Sequence, residues 1–233
     1  MRHIFIGWDR RFPDPAKVLA HSIVSHSDCQ NLSISFLHLQ CLKECYGVSL
    51  PEDKLASTEF TYSRFLVPFL TGYKGMALFL DNDMLCVSDI NQLFDWFEAK
   101  PHLSLGVRKH SHCPQTAEKM YGAAQTQYPR KNWSSMMLMR CDQLRCWTPQ
   151  VVAEGNGARL HRFQDVPDSC IGGVGSGWND LEYQMNADTK LFHWTEGGPW
   201  FDKYHGCPFA DVWLRWRKKL AEAGDIVSLT SGR

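Results

Sequence analysis

Two carboxylates stand directly after a short apolar run, at Asp81 and Asp83 in the stretch ALFLDNDML, residues 77–85. Like charges this close repel each other unless a metal ion, a shared proton or solvent compensates them. On an extended chain, side chains two residues apart point to one side. Two carboxylates on one side form a hard-oxygen site that suits Mg²⁺ or Mn²⁺. Such a cation could hold a nucleotide diphosphate and neutralise the charge that builds as it leaves.

Two other interpretations of Asp81 and Asp83 stay open from the residues alone. The first is a strand end with solvated acids and a helix cap. The second is the Asp-x-Asp element of haloacid dehalogenase phosphatases, which supplies a nucleophile and an acid. That element favours Thr or Val shortly after the second Asp, where this chain has Met84 and Leu85. It also needs a later acidic pair, and no adjacent Asp-Asp follows. The phosphatase interpretation is therefore the weaker one.

His193, in the stretch FHWTEGGPW, is the best candidate for a third metal ligand. It follows a short apolar strand and precedes a Gly-Gly-Pro loop, where glycines let backbone N–H groups approach phosphate oxygens. A lone histidine is more often structural than a ligand. The glycine loop beside it favours the ligand.

Strands and helices alternate over residues 1–100, which predicts a doubly wound α/β sheet. The continuous apolar run at 76–81 is typical of a strand covered on both faces in a parallel or mixed sheet. Ligands of such sheets bind beyond the carboxyl ends of the strands, where Asp81 and Asp83 are expected. The predicted strands are 3–9, 32–39, 76–81 and 103–109, and the predicted helical segments are 15–27, 63–75 and 89–99, with a loop after the second strand.

The second part of the chain is less regular, with a strand at 133–141, a helix at 142–155 and a strand running into a loop at 189–204. A C-terminal amphipathic helix is predicted at 208–224, with a Trp face that packs on the body rather than on a membrane. Without repeats or linkers, residues 1–233 are interpreted as a single domain. Its nucleotide-binding half is about 1–100 and its acceptor-side half about 101–233.

Composition excludes several classes of protein. Lys and Arg total 25, as do Asp and Glu, so the formal net charge is zero and nothing indicates binding to nucleic acid. No apolar run reaches the roughly 18 residues of a membrane span, so integral membrane association is not expected. The N-terminus is read as a strand rather than a signal peptide. Nine cysteines, an odd number, with no C-x-x-C pair favour reduced thiols in the cytoplasm over disulfides or zinc.

Four stretches together resemble glycosyltransferase family 8, the glycogenin and galactosyltransferase group with the GT-A fold: TEFTYSRFLVPFL, FLDNDML, NWSSMML and HWTEGGPW. Their order and separations are similar from the first strand to about residue 213. The resemblance implies a UDP-sugar donor and Mn²⁺ (or Mg²⁺) held by Asp81, Asp83 and His193. It also implies sugar transfer with retention to an acceptor hydroxyl on an unspecified glycan, lipid or protein.

The resemblance implies further roles by position. Gln164 and Asp165 would lie beside the reacting centre as catalytic groups. From the residues themselves, Trp178 and Asn179 are candidates for the acceptor pocket, while the alternative is that Trp178 is a core residue. The implied donor-binding residues are Gly7, Trp8, Asp9, Arg64, Asn82, Asn132, Ser134, Gly197 and Gly198. The chain departs from the family at Gly198, where a phosphate-binding Lys is usual, and at Ser134–Ser135, where Gly is frequent. A non-catalytic nucleotide- or sugar-binding module therefore stays an alternative.

Overall fold

The structure is a computed structural model that describes residues 1–51, 58–110, 118–119, 123–124 and 130–224. The strands are β1 (Arg2–Gly7), β2 (Leu32–Leu37), β3 (Met76–Leu80), β4 (Met84–Cys86), β5 (Leu105–Val107), β6 (Glu118–Lys119), β7 (Ala123–Ala124), β8 (Met136–Arg140), β9 (Ile171–Gly173), β10 (Asp180–Leu181) and β11 (Leu191–His193). The helices are α1 (Pro13–His26), α2 (Leu39–Tyr46), α3 (Val67–Leu70), α4 (Asn91–Glu98), α5 (Pro149–Ala153), α6 (Gly157–His161) and α7 (Ala210–Glu222).

The apolar strands form a six-stranded sheet in the order β2-β1-β3-β8-β5-β9. Neighbouring strands are parallel except at β8, which runs antiparallel to both β3 and β5. Ile6 lies opposite Leu80, and Leu80 lies opposite Met136. The carboxyl ends of β1 and β3 and the start of β8 therefore meet at one edge. This mixed sheet confirms the predicted α/β class.

Both faces of the six-stranded sheet are covered, because alternate residues of each strand enter different apolar clusters. Phe5 and Phe79 face a cluster that includes residues of α2, α5 and α6. Ile4 and Leu78 face the other cluster, which includes residues of α1 and α4. Burial on both sides explains why β1 and β3 are continuous apolar runs.

A smaller sheet has the order β10-β11-β4 and contains strands of only two or three residues. β4 follows β3 directly along the chain and pairs antiparallel with β11, which places Met84 opposite His193. A third apolar cluster lies against this sheet and contains Leu85, Phe192 and Trp194. β6 and β7 pair separately.

Helix α7 packs on the body through Trp213 and Trp216, both buried, as its amphipathic pattern predicts. It contacts α1, whose first turn contains Pro13 and Pro15. None of the helices in the described segments combines the length and apolar character needed to cross a bilayer.

Two predicted helices are wrong in extent, and two helices, α2 and α6, were not predicted. Residues 142–155 contain the end of a 3-10 turn at Cys141–Gln143 and then the short α5, because Thr148 caps a new start at Pro149. Residues 63–75 form a 3-10 turn at Ser63–Leu66 followed by α3. Helix α2 lies where a loop was predicted. Leu42 is its one buried residue, so the spacing of apolar residues gives little signal for a helix there.

Candidate metal and donor-binding site

Residues 81–83 connect the two sheets. The Asp81 N–H donates to Ser135 O at 2.8 Å, which extends the β3–β8 pairing by one bond. The Trp194 N–H donates to Asp83 O at 3.0 Å, which extends the β4–β11 pairing. Between these bonds the chain bends at Asn82 and Asp83. The expectation that an extended strand end aligns the two carboxylates is therefore wrong, since a bend between two sheets brings them together.

Asp81, Asp83 and His193 each offer a ligand atom, and these atoms all lie within 4.8 Å of one another. His193 Nε2 lies 3.2 Å from Asp83 Oδ1, and both side chains are buried. No donor in the described part of the chain meets Asp83 Oδ1 with good hydrogen-bond geometry, and His193 compensates its charge only when the ring is protonated. A buried carboxylate oxygen without a donor is costly unless a cation compensates it. Two carboxylates and an imidazole therefore fit a divalent cation here.

Charge at His193 is set by competing effects. Burial of the ring lowers its pKa, but the carboxylates of Asp83, Asp81 and Glu182 outweigh it, so the pKa of His193 is raised. For the Glu182 carboxyl, burial has the opposite sign: it raises the pKa, and the hydrogen bonds that Glu182 accepts only partly offset this. The site therefore concentrates negative charge in a poorly hydrated space, which attracts a cation.

Arg64 is fixed beside Asp81 by several contacts. Its Nη1 lies 2.8 Å from Asp81 Oδ1 and donates to Ser134 O at 2.9 Å. Its Nε donates to Phe60 O at 3.3 Å, and the guanidinium lies over the rings of Phe60 and Phe79. The buried guanidinium compensates Asp81, and its contacts limit its motion. The family resemblance had implied only that Arg64 contacts the diphosphate or the donor sugar.

The ring nitrogen of His193 that does not face Asp83 contacts Asn179: Nδ1 lies 2.7 Å from Asn179 Oδ1. Asn179 was expected at the acceptor pocket, but it is fully buried and donates to Ser135 Oγ at 3.0 Å. No sequence signal connects Asn179 or Ser135 with His193. Their contact depends on pairing between distant segments.

The loop after β11 requires its two glycines. Gly197 has φ +131°, and a Cβ there would lie 2.6 Å from the Tyr204 ring. A Cβ at Gly198 would lie 2.0 Å from the Trp200 ring. Glu182 anchors this loop by accepting hydrogen bonds from Thr195 Oγ and the Glu196 N–H. Trp200 therefore occupies the space that a side chain at position 198 would need.

Gly7 ends β1, and Trp8 and Asp9 follow it, at the edge where Asp81 lies. A Cβ on Gly7 would lie 2.5 Å from Phe60. Trp8 is half-buried against His38, with ring centroids 4.3 Å apart. Asp9 is buried and accepts from the Arg11 N–H at 3.1 Å and from Arg11 Nε at 2.8 Å.

Asn132 and Ser134 lie just before β8, and the Ser134 carbonyl accepts a hydrogen bond from Arg64. Asn132 has φ +63°, and its Nδ2 is buried without a hydrogen-bond partner among the described residues. Ser134 Oγ lies 2.7 Å from Nδ1 of His161, a neighbour that sequence reasoning missed. Asn82, between the two carboxylates, is also buried.

Gln164 and Asp165 lie on the segment after α6. Asp165 pairs with Arg159, with Oδ1 2.7 Å from Nη2 and 2.9 Å from Nε. Gln164 is exposed, and its N–H donates to Arg159 O at 3.0 Å. These contacts hold Asp165 to its own segment. Its catalytic role stays a prediction.

No family model matches the chain. Among solved structures it is similar to the WbbM bifunctional glycosyltransferase, at 15% identity and a TM-score of 0.55, over 94% of this chain and 51% of that one. It is similar to the galactosyltransferase LgtC in complex with donor and acceptor sugar analogs, at 13% identity and 0.57, over 93% and 95%. The glycosyltransferase GlyE of Streptococcus pneumoniae TIGR4 matches at 12% and 0.58, over 93% and 61%.

These structural neighbours are GT-A-type glycosyltransferases, so the chain has the GT-A fold. It spans about half the length of WbbM and under two thirds of GlyE. Among curated proteins, Protein CDI of Arabidopsis thaliana is 39% identical over 221 residues, which cover 91% of this chain and 84% of that protein. The chain therefore belongs to the same family as Protein CDI of Arabidopsis thaliana.

Proposed function

We propose that this protein is a glycosyltransferase of the family 8 type, which moves a sugar from a UDP-sugar to an acceptor hydroxyl with retention. The observation that carries the proposal is the cluster of Asp81, Asp83 and His193 beside a fixed Arg64. This cluster lies at the carboxyl ends of β1 and β3, the edge where α/β sheets bind ligands. The GT-A fold of the chain supports it.

Asp81, Asp83 and His193 would hold Mn²⁺ or Mg²⁺. A bound divalent cation would stabilise the negative charge of the departing diphosphate. Arg64 holds its guanidinium beside Asp81 before any substrate arrives, so it needs little reorganisation to meet a phosphate. Lys203, whose Nζ lies 5.5 Å from the centre of the Tyr204 ring beside Gly197, would supply the cation that family members place at position 198.

Residues around the metal cluster would make the remaining contacts with the UDP-sugar. Gly7, Trp8 and Asp9 would meet the base and ribose. The buried, unpartnered Asn132 Nδ2 offers a hydrogen bond to the donor sugar, with Asn82 and Ser134 alongside. Gly197 and Gly198 have no side chains, so a phosphate could approach their backbone closely.

Acceptor binding and catalysis are assigned to the second half of the chain, about residues 101–233. Gln164 and Asp165 would stand beside the reacting centre there, on the face that the acceptor hydroxyl approaches. The eight cysteines of the described segments are all free thiols, which supports a reducing compartment such as the cytoplasm. The acceptor would be a glycan, a lipid or a protein.

Thermal unfolding with nucleotide diphosphates tests the donor and metal sites. We expect UDP to raise the melting temperature only when Mn²⁺ or Mg²⁺ is present, because a ligand that binds the folded state stabilises it. Asp83→Asn should abolish this shift, whereas Asp211→Asn, at an exposed position on α7, should keep it. Equal shifts in both variants, or no shift with any nucleotide, would overturn the proposal.

A non-catalytic nucleotide- or sugar-binding module is the second candidate, favoured by the missing Lys at Gly198. The Trp200 ring fills the space beside Gly198, so no longer side chain fits there in this arrangement. Hydrolysis of a UDP-sugar without acceptor distinguishes the two candidates. Slow metal-dependent hydrolysis that Asp83→Asn abolishes supports the enzyme. Binding of UDP with no turnover of any UDP-sugar supports the module.

A further inference from the structure

A chain of buried hydrogen bonds leads away from His193. Its Nδ1 lies 2.7 Å from Asn179 Oδ1, and Asn179 Nδ2 donates to Ser135 Oγ at 3.0 Å. Ser135 Oγ in turn donates to Asn132 O at 2.6 Å. His193, Asn179 and Ser135 are 2%, 0% and 3% exposed, so water does not compete for these bonds. The network connects the short strand β11 with the turn that precedes β8.

The last acceptor in this network sets the direction of every bond. A backbone carbonyl can only accept, so the Ser135 hydroxyl must donate its one hydrogen to Asn132 O. Ser135 Oγ then accepts from the Asn179 amide, which must present its NH₂ group to Ser135 and its oxygen to His193. Because that oxygen can only accept, His193 Nδ1 must carry the hydrogen.

A flipped Asn179 amide would face its NH₂ group against the Nδ1–H and its oxygen against the Ser135 oxygen. Both contacts would leave buried groups unpaired, which disfavours the flip. Asn179 also has φ +58°, a backbone conformation that asparagine adopts more readily than most residues. Backbone and amide therefore hold this side chain in one orientation.

We propose that Asn179 is a positioning residue that keeps His193 in the tautomer with its hydrogen on Nδ1, with Ser135 and the Asn132 carbonyl as its anchor. The lone pair of Nε2 is then directed into the space shared with Asp81 and Asp83. A histidine ligand is generally oriented by the partner of its other ring nitrogen. The functional part of this inference rests on the proposed metal site, whereas the tautomer itself does not.

Metal affinity is the first measurement. Binding of Mn²⁺ to the full chain, followed by electron paramagnetic resonance, should weaken about 10- to 100-fold in Asn179→Ala. Asn179→Asp should retain binding, because a carboxylate oxygen still accepts from Nδ1–H. Asn186→Ala is the matched control: this exposed asparagine lies between β10 and β11, and its bonds go to neighbouring turn residues. Unchanged Mn²⁺ affinity in Asn179→Ala would overturn the proposal.

The tautomer is the second measurement, and it needs no metal. Nitrogen-15 NMR of the histidine rings, at a pH where His193 is neutral, should show the hydrogen on Nδ1 in the wild type and in Asn179→Asp. Asn179→Ala should show a mixture of tautomers, and Ser135→Ala, which only loosens the anchor, a smaller admixture. A wild-type ring with its hydrogen on Nε2 would overturn the proposal.

The two measurements separate this inference from the proposed function. If the wild type binds no Mn²⁺ but shows the Nδ1–H tautomer that Asn179→Ala loses, the metal site fails and the positioning role stands. If Mn²⁺ binds and Asn179→Ala keeps the wild-type tautomer, the positioning role fails alone. Should Asn179→Ala not fold, Ser135→Ala decides the question with the same readouts.

Discussion

The two sheets of the molecule differ in how they are stabilised and in what they contribute to the site. The six-stranded sheet contains strands of up to six residues with an apolar cluster on each face. The small sheet has strands of two or three residues, which alone are too short for independent stability. Yet His193 lies in the small sheet. The larger sheet supports the fold, and the smaller one completes the candidate metal site.

The backbone bonds of the carboxylates show the same division. Asp81 is tied through its N–H to the residue before β8, in the larger sheet. Asp83 is tied through its carbonyl to Trp194, just after β11. The ligand cluster therefore lies across the junction of the two sheets, and its geometry depends on how they are joined.

The largest effects are expected at the carboxylates themselves. Asp83→Asn should lower kcat/KM with a UDP-sugar by about 10³-fold, because several kcal/mol of charge stabilisation depend on the cation it would hold. Asp81→Asn should lose as much activity and also destabilise the fold by about 3 kcal/mol, since it leaves the buried Arg64 without its counter-charge. Steady-state kinetics and thermal unfolding measure both. Full metal-dependent turnover in either variant would contradict the site.

Asp165 tests whether a residue outside the junction takes part in the reaction. Asp165→Asn should lower kcat by about 10²-fold if its carboxylate assists at the reacting centre. The UDP-dependent thermal shift with Mn²⁺ should not change, because the donor contacts lie elsewhere. Unchanged turnover, with only a lower melting temperature, would mean that Asp165 serves the ion pair with Arg159.

A matched pair of core substitutions compares the two sheets directly. Leu191→Ala in β11 and Leu78→Ala in β3 each remove a fully buried leucine and should destabilise the protein by about 2–5 kcal/mol. Only Leu191→Ala should also weaken Mn²⁺ binding, by about tenfold, because it loosens the strand that orients His193. Urea unfolding and metal titration give the two values. Equal loss of Mn²⁺ affinity in both variants would remove the distinction between the sheets.

The smallest effect is expected far from the junction. Arg217→Ala breaks an exposed ion pair between Arg217 and Asp14, whose side chains are 54% and 48% exposed. Such pairs contribute about 0.2–1 kcal/mol, and the substitution should leave UDP and Mn²⁺ binding unchanged. Thermal unfolding with and without UDP measures this. A marked loss of UDP binding would show that the α1–α7 contact influences the site.

Sequence by itself determined the α/β class, the principal strands β1, β2, β3 and β8, and the two end helices α1 and α7. These elements combine length with strong apolar patterning, which is a local property of the chain. It also singled out Asp81, Asp83 and His193, because a metal site requires particular residue types, whereas only the family resemblance pointed to Arg64. The structure brings these four together.

Only the tertiary structure decided how they meet. The two- and three-residue strands β10 and β4 carry no periodic signal and could not be predicted from the sequence, whereas β11 was predicted within the strand that runs into a loop at 189–204. The bend at residues 81–83, the burial of Asn179 and the position of Ser135 all follow from pairing between segments distant along the chain. The orientation of His193 depends on hydrogen bonds that no local pattern encodes, because each partner comes from a different element.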